Sequence, residues 1–306
     1  MSALHNDILV SIYCLAYNHD KYIRDCLDGF INQKTNFKYE VIVHDDASTD
    51  FTAKIIQEYA DRYPNVIIPI LQKENRYSKI GVRLIDQYVL PVCRGKYVAV
   101  CEGDDYWCDD NKLQKQVNVL ENNPEYVACV HQTKILDCRN GKESLISPYN
   151  EDCIVEVEKV LSRGGAVFQT SSLMYRKELD ERRPDFCFVT RQVADYPFAI
   201  YLALSGSIYF LNDVMSVYRM YTEGSWTVYN ASKPNIEHRK DMIKMWMLAD
   251  KYSDFKYHKL WKNEILNFEY YIWKHTKEFS ILGNKHFWLL PFSKKIKLFF
   301  RILLKV

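Results

Sequence analysis

The chain has 306 residues, 48% of them hydrophobic and 14% aromatic, enough for one or two domains with a substantial core. A formal net charge of +2 gives no general surface for nucleic acid. Nine cysteines with no CxxC pair argue against a zinc or redox motif. Their odd number, the lack of a secretory signal and the lack of a bilayer-length apolar run favour a reducing cytoplasm.

Residues 8–15 read as a first strand, ending at Ala16, Tyr17 and Asn18. A helix is expected over about 20–32, where Ile23, Cys26, Leu27, Phe30 and Ile31 recur at helical spacing. Residues 39–44 form a second strand that runs into the polar segment 45–50, whose Ser48–Asp50 offer N-caps for a helix carrying Ile55, Ile56, Tyr59 and Tyr63. A third strand over 65–71, a polar loop over 72–81 and a helix over about 82–93 lead to a fourth strand, 97–101. This alternation argues for a parallel sheet with helices on both faces. A helix over 109–122 follows, with Leu113, Gln116, Val117 and Leu120 in register. Beyond it, 126–131 and 133–138 read as paired strands with a turn at 139–141, and 144–158 is poorly defined. Residues 166–175 read as a strand returning towards the centre of the chain. Asp195 opens a helix to Leu204, a strand covers 208–211, and Tyr218-Arg219 leads into a loop over 221–226. Helices are expected over about 235–251 and 257–279. In the tail, 294–306, Lys294, Lys297, Arg301 and Lys305 share one helical face and apolar residues fill the rest, the pattern of a helix lying on a membrane surface. A terminal helix packed on the core is the alternative.

The chemistry concentrates at the end of the fourth strand. Glu102, Asp104 and Asp105 follow a buried apolar run, and ligands of open α/β sheets bind outside the carboxyl ends of strands. Carboxylates this close repel one another unless a cation lies among them, and hard oxygen ligands suit Mg²⁺ or Mn²⁺.

The ordered set of motifs resembles glycosyltransferase family 2. Val10-Ser11-Ile12, Tyr17-Asn18, Tyr22-Ile23, Leu27, Gln33, Glu40–Val43 and Asp45–Asp50 resemble its opening. Glu102-Gly103-Asp104-Asp105-Tyr106-Trp107 with 112–116 resembles its second signature, and Asp195 followed by Tyr218-Arg219 its third. The resemblance covers about residues 8–226. It implies a GT-A fold: a Rossmann-like nucleotide-binding sheet (half about 1–125) and an acceptor half (about 126–230) within a domain 1–230, here followed by a helical region 231–306. It also implies inverting transfer of a sugar from a nucleotide-sugar, most simply UDP-linked, to a glycan or lipid-linked acceptor in surface polysaccharide synthesis at the inner face of the cell membrane.

By the same resemblance Asp105 is a metal ligand, and Asp104 contacts ribose or the metal's shell. Asp46 accepts from a uracil N–H, Tyr17 stacks on the base, and Asn18 and Ser48 belong to the nucleotide site. Asp195 is the candidate base. Arg219 holds the diphosphate or positions the loop after it. Glu102, Trp107, Thr170 and Ser171 are assigned to donor or acceptor sugar. Each has a structural alternative: a cap for Asp46 and for Asp195, an ion pair for Arg219, core packing for Tyr17 and Trp107, and a solvated turn for the acidic pair. Two departures stand out. Tyr221 occupies the place of a His found in many relatives, and Leu15 the place of a small polar residue. The rival functions are a non-catalytic nucleotide-sugar or membrane assembly module, against which the intact acidic set speaks, and a nucleotidyltransferase, for which residues 15–20 lack the Gly-rich phosphate loop.

Overall fold

The computed structural model describes residues 8–146, 148–163, 167–190, 193–223 and 235–276, with 292, 293, 295 and 296 near the C-terminus. The tail pattern at 294–306 and the loop at 224–226 therefore lie almost wholly outside the described residues.

Among the described residues ten strands form one sheet. Its first half is β3 (Ile67–Leu71), β2 (Lys38–Asp45), β1 (Ile8–Ala16) and β4 (Tyr97–Val100), in that order and all parallel. The apolar runs are buried on both faces, as helices covering both sides require. On one face α1 (Ile23–Ile31) and α2 (Thr52–Arg62) bury Ile23, Cys26, Leu27, Phe30, Ile55 and Ile56 against Val10, Ile12 and Cys14. These are the residues that the helical spacing picked out. Tyr59 sits at the margin and donates its hydroxyl to Asp28 (2.6 Å). A single helical turn, α3 (Tyr77–Ile80), lies in the expected polar loop.

The helix expected over 82–93 is instead a 3₁₀ turn, Gly81–Arg83, followed by a π-helical turn, Ile85–Val89. The Leu90 N–H donates to the Ile85 carbonyl at 2.9 Å. Val89, Leu90 and Cys93 pack together against Ile42 of β2.

The second half begins after β5 (Tyr106–Trp107) and α4 (Lys112–Asn122), which buries Leu113, Gln116, Val117 and Leu120 as expected. The two paired strands expected over 126–138 are one continuous strand, β6 (Tyr126–Asp137). Its polar middle, His131-Gln132-Thr133, is buried rather than turned out: Gln132 bonds to Asn212, and the Thr133 hydroxyl meets Ser216 at 3.0 Å. The turn at 139–141 does exist, with Gly141 at φ 71°, but it joins β6 to β7 (Lys142–Ile146), which runs into the stretch 144–158 that carries no clear pattern in the sequence. β8 (Cys153–Ile154) leads to α5 (Val157–Arg163).

The strand expected over 166–175 is reduced to β9 (Met174–Arg176). Residues Thr170–Ser172 form a 3₁₀ turn because both the N–H and the hydroxyl of Ser172 donate to the Gln169 carbonyl, at 2.9 and 2.7 Å. β9 runs antiparallel to both β4 and β6 and so joins the halves. α6 (Asp195–Ser205) precedes β10 (Ser207–Met220), which is longer than expected, pairs in parallel with β6 and shifts register after Leu211. α7 (Ile236–Tyr252) and α8 (His258–Thr276) match the expected helices over their described parts. Met245, Trp246 and Trp261 share one buried cluster with Leu161 of α5 and Ile200 and Tyr201 of α6. Among the described residues no helix is long and apolar enough to cross a membrane.

Candidate active site

The acidic segment bridges the two halves. Past β4, Cys101 and Gly103 keep donating to β1, to Tyr13 O (3.2 Å) and Leu15 O (2.9 Å). The Asp105 N–H then donates to Glu102 O (3.0 Å), closing a tight turn. A Cβ on Gly103 would lie 2.9 Å from His19 Nδ1 and 3.1 Å from Leu15 O, so the turn packs against β1 only with glycine there. β5 then pairs antiparallel with β10, Trp107 opposite Ser216.

Asp105 is buried, and its Oδ1 accepts the Arg219 N–H from β10 at 2.8 Å. Burial first, and then the neighbouring Asp104, push its carboxyl well above the usual range, while the Arg219 N–H opposes them. Asp104 Oδ2 accepts from the Thr222 hydroxyl at 2.8 Å. The Arg219 guanidinium donates to the Asp104 carbonyl (3.0 Å) and to Asp25 of α1, and lies over the rings of Tyr106 (4.4 Å) and Tyr22 (5.3 Å). It is 8% exposed and already paired, so its charge anchors the acidic turn to α1.

Glu102 is pushed up to about 8 by burial, then by Asp104 and Asp195. The acidic turn and the start of α6 therefore share one electrostatic field. Asp195 is the first residue of α6, and its Oδ1 accepts the next N–H, of Tyr196, at 2.8 Å. Its carboxylate is open to solvent, yet the surrounding protein raises its pKa by desolvation, with that N–H opposing. Glu102, Gln169, Thr170 and Asp195 line one cavity of about 80 Å³.

The other expected residues divide. Tyr17 is 44% exposed, with a face free to stack, rather than a core aromatic. Asn18, at φ 57°, donates its N–H to Ser48 Oγ (2.9 Å) and accepts from the Thr49 N–H (2.8 Å), tying the loop after β1 to the loop after β2. Asp46, 4% exposed, accepts the N–H groups of Arg76 (2.7 Å) and Tyr77 (2.9 Å). It thus caps α3, whereas Asp50 accepts the Thr52 N–H (2.9 Å) at the start of α2. Trp107 is 3% exposed, donates Nε1–H to Ser171 O (2.9 Å) and carries Lys112 Nζ 3.9 Å from its ring centre. Trp107 and Ser171 are packed behind the cavity wall, and Thr170 reaches the cavity itself. Thr222 and Asp25 carry no local signal in the sequence, since their partners Asp104 and Arg219 lie 118 and 194 residues away.

Among the described residues no three His, Cys, Asp or Glu side chains converge as a metal site. Asp104 and Asp105 nevertheless fit a cation that takes its remaining ligands from phosphate oxygens and water, as Mg²⁺ commonly does. Burial and then the neighbouring Asp104 hold the Asp105 carboxyl up, and a cation bound between the two would favour its ionised form.

Comparison with known proteins agrees with this architecture. An uncharacterised protein of Mycobacterium tuberculosis is 40% identical over 219 residues, 71% of this chain and 60% of that protein. Chondroitin synthase of Escherichia coli is 37% identical over 98 residues, 32% of this chain and 13% of the synthase. The chain thus spans only part of these relatives' length. In fold it is similar to S. aureus TarS (residues 1–349, in complex with UDP-GlcNAc), with TM-score 0.63 and 16% identity over 95% of this chain and 79% of that one. It is also similar to mannosyltransferase PcManGT of Pyrobaculum calidifontis, in complex with GDP-Man and Mn²⁺, with TM-score 0.54 and 17% identity over 86% and 73% of the two chains. The sheet is accordingly of the GT-A type. With residues 11–183 matching the family's sequence pattern, the chain belongs to glycosyl transferase family 2.

Proposed function

We propose that the protein transfers a sugar from a UDP-sugar, with inversion, to a hydroxyl of a glycan or lipid-linked acceptor in surface polysaccharide synthesis. The observation that carries this reading is the meeting of Glu102 of the acidic turn with Asp195 and Thr170 on one cavity. Inverting transfer needs a base on one side of the sugar ring and charge stabilisation of the leaving diphosphate on the other. Asp195 takes the acceptor proton; it stands exposed on the first turn of α6 and lines the cavity, where an acceptor hydroxyl can reach it. Asp105 and Asp104 would hold a divalent cation, Mn²⁺ or Mg²⁺, which when bound would supply positive charge at the diphosphate. Arg219 keeps that turn in register through Asp25 and the Asp104 carbonyl. Tyr17 stacks on the base, while Asn18, Ser48 and Asp46 order the loops around it.

UDP is favoured by the ligand named for TarS, and polysaccharide synthesis by the name of chondroitin synthase. In this reading the first part of the chain, to about 125, binds nucleotide and the part to about 230 binds acceptor. The basic and apolar tail, 294–306, rests on an anionic membrane surface. The test is UDP release from UDP-GlcNAc with Mn²⁺ and a lipid-linked glycan. Asp195→Asn lowers kcat at least ~100-fold while leaving UDP affinity within a factor of about three. An unchanged kcat removes Asp195 as the base.

A further inference from the structure

The 3₁₀ turn Thr170–Ser172 lies outside any strand, yet each of its carbonyls has a partner. Thr170 O accepts the Leu173 N–H at 3.0 Å. The other two are taken by side chains from the segment just past the acidic turn. Trp107 donates Nε1–H to Ser171 O at 2.9 Å, from 64 residues earlier in the chain. Gln116 donates Nε2–H to Ser172 O at 2.8 Å, from 56 residues earlier. The same amide nitrogen also donates to Cys129 O of β6 at 2.8 Å. Lys112 Nζ donates to Gln116 Oε1 at 2.6 Å, which fixes the amide with its N–H groups towards the two carbonyls. Trp107, Lys112, Gln116, Ser171 and Ser172 are all buried, so these carbonyls have no solvent to turn to if a donor is lost.

We infer that Trp107 and Gln116 are positioning residues for sugar transfer: they hold this turn so that the Thr170 hydroxyl bonds the sugar seated beside Asp195. Thr170 lines the same cavity as Glu102 and Asp195, while the two donors act from behind its wall, through the backbone of the turn. Trp107 stands two residues past Asp105, so one short path sets Thr170 against the acidic turn. Its ring is itself held edge-on by Phe30 of α1, with ring centres 4.8 Å apart. A carbonyl left unpaired there loosens the turn, and a displacement of about 1 Å at a group that orients substrate costs up to ~100-fold in rate. The inference rests on the reading of this cavity as the transfer site and adds the two residues that aim one of its walls.

A double-mutant cycle on the whole chain tests this, read as UDP release from UDP-N-acetylglucosamine with Mn²⁺ and a lipid-linked glycan. Thr170→Val is expected to lower kcat/KM about tenfold. Trp107→Phe, which keeps a packed ring and removes only the N–H, is expected to lower it about fivefold, and Gln116→Met about tenfold. UDP affinity by calorimetry stays within a factor of about two in all three. In the Thr170→Val background, Trp107→Phe and Gln116→Met change kcat/KM by less than about twofold, because the group they aim is already gone. Losses that multiply instead, or that appear equally in UDP affinity, belong to residues that only support the fold and overturn the inference. Trp107→Phe at the wild-type rate overturns it too. Multiplying losses in a protein that binds UDP and turns over sink the positioning role alone, whereas a wild-type chain that neither binds UDP nor releases it sinks the transfer reading beneath as well.

Discussion

Two acidic segments follow parallel strands of the same sheet, Asp45–Asp50 after β2 and Glu102–Asp105 after β4, and they meet different fates. In the first, each carboxylate is taken by nearby backbone: Asp45 by Ser48, Asp46 by Arg76 and Tyr77, Asp50 by Thr52 and Asp20. In the second, Asp105 accepts one backbone N–H, while burial and then the nearby Asp104 and Asp195 raise Glu102. An acid that is saturated with local donors organises loops. An acid left beside other acids stores unfavourable charge that a ligand can relieve.

The largest effect expected from this contrast is at Asp105. Asp105→Asn keeps an acceptor for the Arg219 N–H, so thermal stability holds or rises, while UDP release falls by a factor of about 10³. A variant that loses stability and keeps its rate would put Asp105 in the class of Asp46. Lys112 offers the same contrast with the charge reversed. It is fully buried beneath Trp107 with Gln116 as its hydrogen-bond partner (2.6 Å), and burial lowers its pKa from 10.5 to about 7. Between those two values the unfolded chain holds a proton that the folded chain has shed. The cost of this residue to folding is therefore full below pH 7 and fades as pH rises towards 10.5. Lys112→Met is expected to stabilise the protein at pH 7 by on the order of 3 kcal/mol relative to its effect at pH 10, measured by urea unfolding at both values. The smallest effect is at Asp46. Asp46→Ala strands two N–H groups near α3 and should cost about 2 kcal/mol in the same assay.

The parallel half was readable because its strands are continuous apolar runs and its first two helices keep strict spacing. The acidic turn was readable because its residues are adjacent in sequence. What escaped was set by distance or by buried polarity. The widened turn Ile85–Val89, which buries Val89 with Leu90 and Cys93, has no mark in the apolar spacing. His131 to Thr133 read as a break between strands because the partners of Gln132 and Thr133 lie on β10. The Asp86–Arg183 and Asp25–Arg219 pairs join residues 97 and 194 apart, which no local pattern announces. Trp107 was assigned to sugar by its neighbours in sequence, yet the pairing of β5 with β10 turns it inward.

β9, three residues long, is hydrogen-bonded to β4 on one side and β6 on the other. The first and second halves of the described chain are thereby sewn into a single sheet. Clamshell opening would have to tear that stitching, so traffic of substrate and product is left to the loops at the strand ends, with the framework beneath them standing still.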